Sequence, residues 1–509
     1  MNPDHFRPDQ ALSPTRSLPI VLRCPDRLAN KVRYTFDTLF QAAGVLVTYV
    51  AQAPSSGPWL LYARTKESEA SLVSCMSIAH CPGEWDLFDG HSDVEASTDV
   101  DNLPAVLPQT SHGFEDASDI RFDIIANAFY FLSSWSERAG QEGKVTRQLH
   151  ATSVFARLGL PQDIVDLYLA ALTDRLRSLY TRSRVEPWPQ VEWPGGSSYA
   201  VVLSHDVDFL PSGLGDNAVQ GAKTVLRHLV RQRDPADALK AIAGLARALT
   251  TGRDPYGCVP EIIARQKELG VRSSFQVAVG HRHRNDVNYR IEDDRVRDYL
   301  RAIPNAGFDL CLHGSYRSTE DPRWYVEEAA LLGERLGQPL GSRQHFLSFD
   351  YDALFMAQEQ AGIQYDMSMG FPDRPGPRAG FSYPYFPYDL RRDRPYRTLQ
   401  ISLFLMDVTL RGYKNLKGGK AWNVIEKALA ELKRKGACVS AVWHPIVFGG
   451  ARDPGYDELF WNLVAHVGTT GGVATDGRTI NSFWRARATR YLSFGFNAAE
   501  LAAPPRSAH

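Results

Sequence analysis

The sequence lacks an excess of charge of either sign. It contains 57 Lys and Arg against 58 Asp and Glu in 509 residues, a formal net charge of −1. Proteins that bind a polyanion usually carry a basic surplus, so we do not expect nucleic acid as a partner. A hydrophobic content of 44% also excludes a disordered chain and indicates a globular protein.

Long apolar segments and paired cysteines are also missing. No stretch approaches the roughly 20 apolar residues of a membrane helix, and the N-terminus has no apolar core of a signal peptide. We therefore expect a cytoplasmic protein without a membrane span. The six cysteines form no CxxC pair, and Cys311 and Cys438 lie in apolar, strand-like runs, which predicts buried thiols outside disulfides.

The chain is longer than one typical hydrophobic core requires, which predicts two domains. Residues 1–190 mix strand-like and helical patterns without a chemical motif, and we expect a smaller mixed α/β domain of unknown role there. Proline and glycine interrupt every pattern between Pro187 and Ser198, which marks a boundary. Residues 486–509 are predicted to be a flexible tail.

The second domain, predicted over residues 197–485, alternates short β-rich runs with helical segments. The predicted strands cover residues 199–203, 273–279, 308–312, 341–347, 363–365, 399–405 and 438–443. The predicted helices cover residues 260–269, 294–303, 324–336, 351–361, 421–434 and 456–466. This alternation is typical of a parallel sheet, and about seven units indicate an α/β barrel.

Carboxylates, imidazoles and one guanidinium follow these predicted strands. In a parallel barrel the active-site groups come from the carboxyl ends of the strands, and alternate side chains point the same way. Singly, a strand-end histidine or aspartate is commonly structural, as a packed side chain or a helix cap. Together they favour one metal-assisted hydrolytic site. The six residues are Asp206, Asp208, His313, Arg343, His345 and His444.

Four ordered motifs point to a known family. They are LSHDVD at 203–208, HGSY at 313–316, RQHFL at 343–347 and YDMSMGF at 365–371. Their order and spacing resemble the polysaccharide deacetylase superfamily, also called NodB homology or carbohydrate esterase family four, in a branch met in surface-polysaccharide biosynthesis loci. The resemblance covers about residues 199–484. It implies a distorted (β/α)7 barrel that removes an N-acetyl or O-acetyl group from a sugar or glycan precursor.

The resemblance also implies catalytic roles. Asp206 is the general base, Arg343 orients it, and His444 protonates the leaving amine or alcohol. Many relatives have adjacent carboxylates in the first motif, whereas this chain has Asp-Val-Asp, so the roles of Asp206 and Asp208 could be exchanged.

The implied cofactor is a divalent metal, expected to be zinc, with cobalt and nickel as alternatives. Asp208 and His313 are the ligands that the motifs supply. The family usually places another histidine at the position of Arg317, so one ligand is missing here. His345 is the candidate replacement by strand parity, and His205 is the second choice. If neither completes the set, the metal binds weakly or not at all.

Four residues are predicted to contact the substrate. Tyr316 and Asp366 belong to the second and fourth motifs, and Arg374 and Arg378 lie in a Pro/Gly-rich segment followed by aromatics. Arginine forks bind phosphate, which suggests a nucleotide- or lipid-linked sugar, although a rigid packed loop explains the composition equally well.

Two other functions remain open at this stage. One is a catalytically silent barrel that binds glycan precursors or acts as a scaffold. The other is a hydrolase of a non-sugar amide.

Overall fold

Strands and helices form two groups along the chain. The computed structural model describes residues 17–64, 74–90, 92–107, 120–139, 144–188, 191–210, 214–231, 235–251, 256, 258–450 and 452–491. The N-terminal strands are β1 (Leu18–Leu22), β2 (Val47–Val50), β3 (Trp59–Ala63), β4 (Cys75–Ala79), β5 (Thr98–Val100), β6 (Leu103–Ala105) and β7 (Thr146–Arg147). The helices of this group are α1 (Asp26–Ala43), α2 (Pro82–Trp85), α3 (Ile124–Leu132), α4 (Trp135–Arg138), α5 (Val154–Arg157) and α6 (Ile164–Arg182).

The N-terminal group is organised around a four-stranded parallel sheet of order β2-β1-β3-β4. Helix α1 buries Leu28, Val32, Phe36 and Leu39, whose helical spacing forms one apolar face. It ends at Gly44, whose φ of 84° lets its N–H bond back to the last turn.

The second group begins with a long strand. Its strands are β8 (Tyr199–Val207), β9 (Ser274–Val277), β10 (Asp309–Gly314), β11 (Gly341–Gln344), β12 (Ser348–Phe349), β13 (Tyr365–Asp366), β14 (Tyr388–Asp389), β15 (Arg394–Pro395), β16 (Leu399–Gln400), β17 (Leu403–Met406), β18 (Cys438–Val442) and β19 (Gly472–Thr475). Its helices are α7 (Leu214–Leu226), α8 (Pro235–Thr251), α9 (Val259–Leu269), α10 (Asp294–Leu300), α11 (Ala302–Asn305), α12 (Pro322–Leu336), α13 (Tyr351–Ala361), α14 (Gly418–Lys435), α15 (Tyr456–Thr469) and α16 (Gly477–Tyr491).

Nine of these strands form one curled parallel sheet. Eight follow the order β16-β13-β11-β10-β9-β8-β18-β17, and β19 also pairs with β8. The nine-residue strand β8 accommodates three neighbours because β19 pairs with its first half and β9 with its second half, opposite β18. Every residue of β8 is buried, as expected for a strand covered on both faces.

The expected (β/α)7 barrel is confirmed only as a mixed α/β fold with a curled parallel half-barrel. The end strands β16 and β17 are separated by only two residues of chain and do not pair with each other. The barrel is therefore not closed.

Several elements differ from the predicted ones. Helices α7 and α8, strand β19 and helix α16 were not predicted, and β11 ends at Gln344, where a turn replaces the expected strand. Helix α16 continues to Tyr491, so the first residues of the predicted tail are helical. Residues 492–509 lie outside the described residues. The domain boundaries stay a prediction.

The two groups share one continuous apolar core. Strand β7 pairs antiparallel with β12, and the Tyr34 hydroxyl donates to the Phe386 carbonyl at 2.7 Å. None of the six cysteines is in a disulfide, and all are buried except Cys24, which is half-buried. No helix among the described residues is long and apolar enough to cross a membrane.

Candidate metal centre

Three potential metal ligands converge at the carboxyl ends of parallel strands. Asp208 directly follows β8, His313 lies in β10, and His345 directly follows β11. Their ligand atoms all lie within 4.8 Å of one another. The Asp208 Oδ1 atom is 3.1 Å from His313 Nε2 and 3.7 Å from His345 Nε2. The structure therefore contains an Asp/His/His group that can hold a metal ion.

The hydrogen bonds around these atoms fit a bound cation. His313 Nδ1 lies 2.9 Å from the Arg343 carbonyl oxygen, which can only accept, so Nδ1 carries a proton, and in the neutral imidazole the lone pair of Nε2 is directed towards Asp208. Asp208 Oδ1 and His313 Nε2 are both shielded from solvent and have no hydrogen-bond partner. Two buried acceptors 3.1 Å apart repel each other unless a proton or a metal ion lies between them. A backbone carbonyl behind a ligating histidine is also the usual outer-shell arrangement of metal sites.

The electrostatics of the group favour a positive charge at its centre. Burial alone would raise the pKa of Asp208, but His345, His444 and His313 together hold it well below its usual range. Burial alone would lower the pKa of His313, yet the carboxylates of Asp206 and Asp208 raise it. The negative charge of the two carboxylates therefore favours protonated histidines here, and a bound cation would compensate the same negative charge.

A second carboxylate, Asp206, is held apart from this group by Arg343. The guanidinium is buried, and each of its three nitrogens donates a hydrogen bond: Nη1 to Asp206 Oδ1 at 2.6 Å, Nη2 to the Ser204 hydroxyl at 2.8 Å and Nε to the Met367 carbonyl at 3.0 Å. Asp206 is therefore fixed in direction beside the ligand group, and Asp208 is the carboxylate that faces the histidines.

A fourth residue near Asp208 is His444, which faces the second carboxylate oxygen of Asp208. Its Nε2 atom lies 3.3 Å from Asp208 Oδ2, and its Nδ1 atom lies 2.7 Å from Asp407 Oδ1. Burial alone would lower the pKa of His444, but Asp407 and Asp208 outweigh it and raise the pKa to about 10. His444 therefore carries a proton at neutral pH and can donate it.

Asp407 was missed in the sequence analysis. It directly follows β17, so the strand-end rule that selected the other residues also applies to it. The predicted strand stopped at residue 405, two positions before Asp407, and the residue carried no motif. Its second oxygen contacts Arg411 Nε at 3.3 Å, which keeps the carboxylate in place.

His205, the second-choice ligand, faces the other way. Its Nδ1 atom lies 2.7 Å from the Trp443 carbonyl and its Nε2 atom 3.1 Å from the Gln266 amide. Burial lowers the pKa of His205 to about 4, so it is a neutral, packed side chain. The structure does not bring it to the metal group.

Of the four predicted substrate contacts, Tyr316 is connected to the metal group through one intervening ring, and its contact with substrate stays a prediction. Its ring packs 5.5 Å from Phe346, which in turn lies 4.5 Å from the His345 ring. Asp366 is fully buried, and its carboxylate accepts bonds from Ser368 and from neighbouring side chains.

The two arginines of the predicted substrate loop have other surroundings. Arg374 is exposed, whereas Arg378 is buried and forms a bidentate ion pair with Glu137 of α4. Substrate binding by Asp366, Arg374 and Arg378 stays a prediction. The contacts described above do not favour substrate binding by these three residues.

One family model and one solved structure are similar to parts of this chain. Residues 20–181 match a family of unknown function (DUF7033). A search of the curated proteins finds no match. Among solved structures, one described as a "putative polysaccharide deacetylase from Mycobacterium smegmatis" is 18% identical, covers 59% of this chain and 95% of its own, and has a TM-score of 0.39.

Proposed function

We propose that this protein is a metal-dependent hydrolase that removes an acetyl group, N- or O-linked, from a sugar or glycan precursor in surface-polysaccharide biosynthesis. The observation that carries the proposal is the convergence of Asp208, His313 and His345, with two solvent-shielded atoms that lack hydrogen-bond partners. The acetyl group and the sugar come from the motif resemblance. Zinc is the expected metal because two imidazoles and one carboxylate are a known ligand set of catalytic zinc sites.

The residues around the metal group have positions that suit acyl hydrolysis. When bound, a divalent ion would polarise the acyl carbonyl and lower the pKa of a water molecule. Asp206, fixed by Arg343, accepts a proton from the water as the water oxygen bonds to the acyl carbon. His444 donates its Nε2 proton to the leaving nitrogen or oxygen as that bond breaks, which gives acetate and a free amine or alcohol.

The partners of Asp206 and His444 support the assignment of these two residues as base and acid. Asp206 is bound to Arg343, and His444 is bound to Asp407, so each has an orienting partner of opposite charge. Asp208 lies between the histidines and has no arginine partner. This arrangement favours Asp206 as the base and Asp208 as the ligand over the exchanged roles.

The test combines metal content with acetate release. We expect the purified protein to hold about one zinc, cobalt or nickel ion, and we expect Asp208→Ala and His313→Ala to lose it. Acetate release from a panel of N-acetylated and O-acetylated nucleotide sugars should stop on chelation and return when metal is added. His466→Ala, on α15 outside the site, serves as the control histidine. Protein that binds no metal and releases no acetate would overturn the proposal and favour the silent, precursor-binding barrel.

A further inference from the structure

A helical hairpin carries most of the exposed large apolar side chains. It consists of α7, a turn at Arg227–Arg231 and α8. Of the nine large hydrophobic residues that are exposed among those described, six lie in this hairpin and are 49–67% exposed. They are Val219, Leu226, Leu229, Val230, Leu239 and Ile242. Apolar patches of this kind usually mark an interaction surface.

The hairpin already uses its inner face for packing. A Cβ atom added at Gly221 would lie 2.6 Å from Leu245 Cδ1, which shows that the two helices approach closely there. Ala238 and Ala241 are buried. The exposed residues follow a separate helical spacing: Val219 and Leu226 are seven apart, and Leu239 and Ile242 are three apart. The hairpin therefore has two apolar faces: an inner face that packs between the helices, and an outer face that carries the exposed residues.

The charge of the hairpin differs from that of the whole chain. Residues 214–251 include six basic and three acidic residues, whereas the whole chain is almost neutral. Lys223 is exposed, lies between Val219 and Leu226 on α7, and has no ion-pair partner among the described residues. Lys240 is 63% exposed beside Leu239 and also contacts Asp237 Oδ1 at 3.3 Å. Apolar side chains flanked by lysines are the composition of helices that lie in the interface of an anionic membrane.

A chain of four charged contacts connects the hairpin to His444. Arg227 of the hairpin contacts Asp453 at 2.9 Å, and Asp453 contacts Arg411 at 3.1 Å. Arg411 contacts Asp407 at 3.3 Å, and Asp407 holds His444 at 2.7 Å. The hairpin thus lies on the side of the sheet where the strands end, which is the side that carries the metal group.

We infer that the outer face of this hairpin docks the protein onto an anionic membrane surface. The apolar side chains enter the boundary between headgroups and acyl chains, and the lysines remain among the anionic headgroups. Docking would bring the strand-end site close to the lipid surface, where a lipid-linked substrate presents its glycan. The docking itself goes beyond the proposed function and does not depend on it.

Vesicle sedimentation of the full chain tests this inference. The probes are vesicles of phosphatidylcholine alone and vesicles with about one third phosphatidylglycerol. We expect binding to the anionic vesicles, and we expect Leu226→Glu combined with Leu239→Glu to weaken it at least about tenfold. The control is Leu269→Glu on α9, an exposed leucine outside the hairpin, and it should bind as the unaltered protein does.

The outcomes separate the alternatives. No binding to anionic vesicles, or equal binding by the hairpin variant and the unaltered protein, would overturn the inference. The inference would also be overturned if sedimentation velocity showed a dimer of the unaltered protein and a monomer of the hairpin variant. The outer face would then pair with a second copy of the chain. If the glutamate variant melts early, Leu226→Ser combined with Leu239→Ser replaces it. No substrate is present, so the result is independent of the hydrolase proposal.

Discussion

Two aspartates two positions apart, Asp206 and Asp208, have different surroundings. Arg343 fixes the first, and histidines surround the second. Strand parity in the sequence predicts that both lie on one side of the chain. It could not distinguish base from ligand, because the partner of each carboxylate comes from a distant strand. Asp407 was missed because no motif marked it and the predicted strand ended two residues before it.

Substitution of each aspartate should separate the two roles. We expect Asp206→Asn to keep its metal and to lower kcat by about 10²–10⁴, because the general base is lost. We expect Asp208→Asn to lower metal affinity by at least about tenfold. Metal content by mass spectrometry and acetate release provide the two measurements. Full activity of metal-loaded Asp206→Asn would show that Asp206 is not the base.

The pH dependence should report the pair of His444 and Asp407. Without a bound metal the pKa of His444 is raised to about 10. Activity of the metal-loaded enzyme needs the His444 proton and is lost as the pH rises through the pKa that His444 has there. A bound cation partly cancels the charge of Asp208, so the alkaline limb of the active enzyme should lie below pH 10.

Asp407→Asn removes one of the two carboxylates that raise this pKa. The alkaline limb of kcat/KM should therefore move to lower pH by about 1–2 units. Conversion of Glu431 to Gln, an exposed carboxylate on α14, should leave the limb unchanged. An unmoved limb in Asp407→Asn would contradict the proton-donor role of His444.

The elements were predicted unevenly, for physical reasons. Strands such as β8 and β18 are buried on both faces, and their continuous apolar runs are visible in the sequence. The α7–α8 hairpin was not predicted, although both of its helices have an amphipathic sequence. The turn after β11 is predicted as strand by its sequence, since Phe346 and Leu347 are apolar and the segment contains no glycine.

This turn places His345, and it has an unusual backbone. Phe346 and Leu347 both adopt positive φ, 58° and 54°, which costs about 1–2 kcal/mol for each non-glycine residue. The buried Leu347 packs with Leu403, Met406 and Val442, so the apolar contact offsets the strain.

Leu347→Ala should therefore act on both stability and metal binding. We expect the free energy of unfolding to fall by about 2–4 kcal/mol, because a buried leucine is truncated. Metal affinity should also fall, because His345 is two residues away. Urea unfolding and metal titration measure the two effects. The control Leu332→Ala, in the fully buried part of α12, should lose similar stability and keep its metal affinity. If both variants had the same metal affinity, the turn would not be what holds His345 in position to bind the metal.

At the scale of the whole molecule, the two groups of elements are joined by buried charges. Arg378 donates from Nε and Nη2 to the Glu137 carboxylate, and its side chain is 1% exposed. Arg138, from the same short helix as Glu137, pairs with Asp352 at 2.6 Å. The loop composition around Arg378 predicted either substrate binding or rigid packing. The partner lies 241 residues away in the sequence, so composition alone could not decide between them.

Removal of one partner distinguishes the two interpretations of Arg378. Arg378→Met leaves the Glu137 carboxylate without its buried counter-charge, which should lower the free energy of unfolding by about 3–5 kcal/mol. The double variant Arg378→Met with Glu137→Gln should recover most of this loss, because no unpaired charge remains. At a temperature where both variants are folded, KM should match that of the unaltered protein, since the guanidinium is directed at Glu137. A raised KM with unchanged stability would instead assign Arg378 to the substrate and would require the ion pair to open when substrate binds.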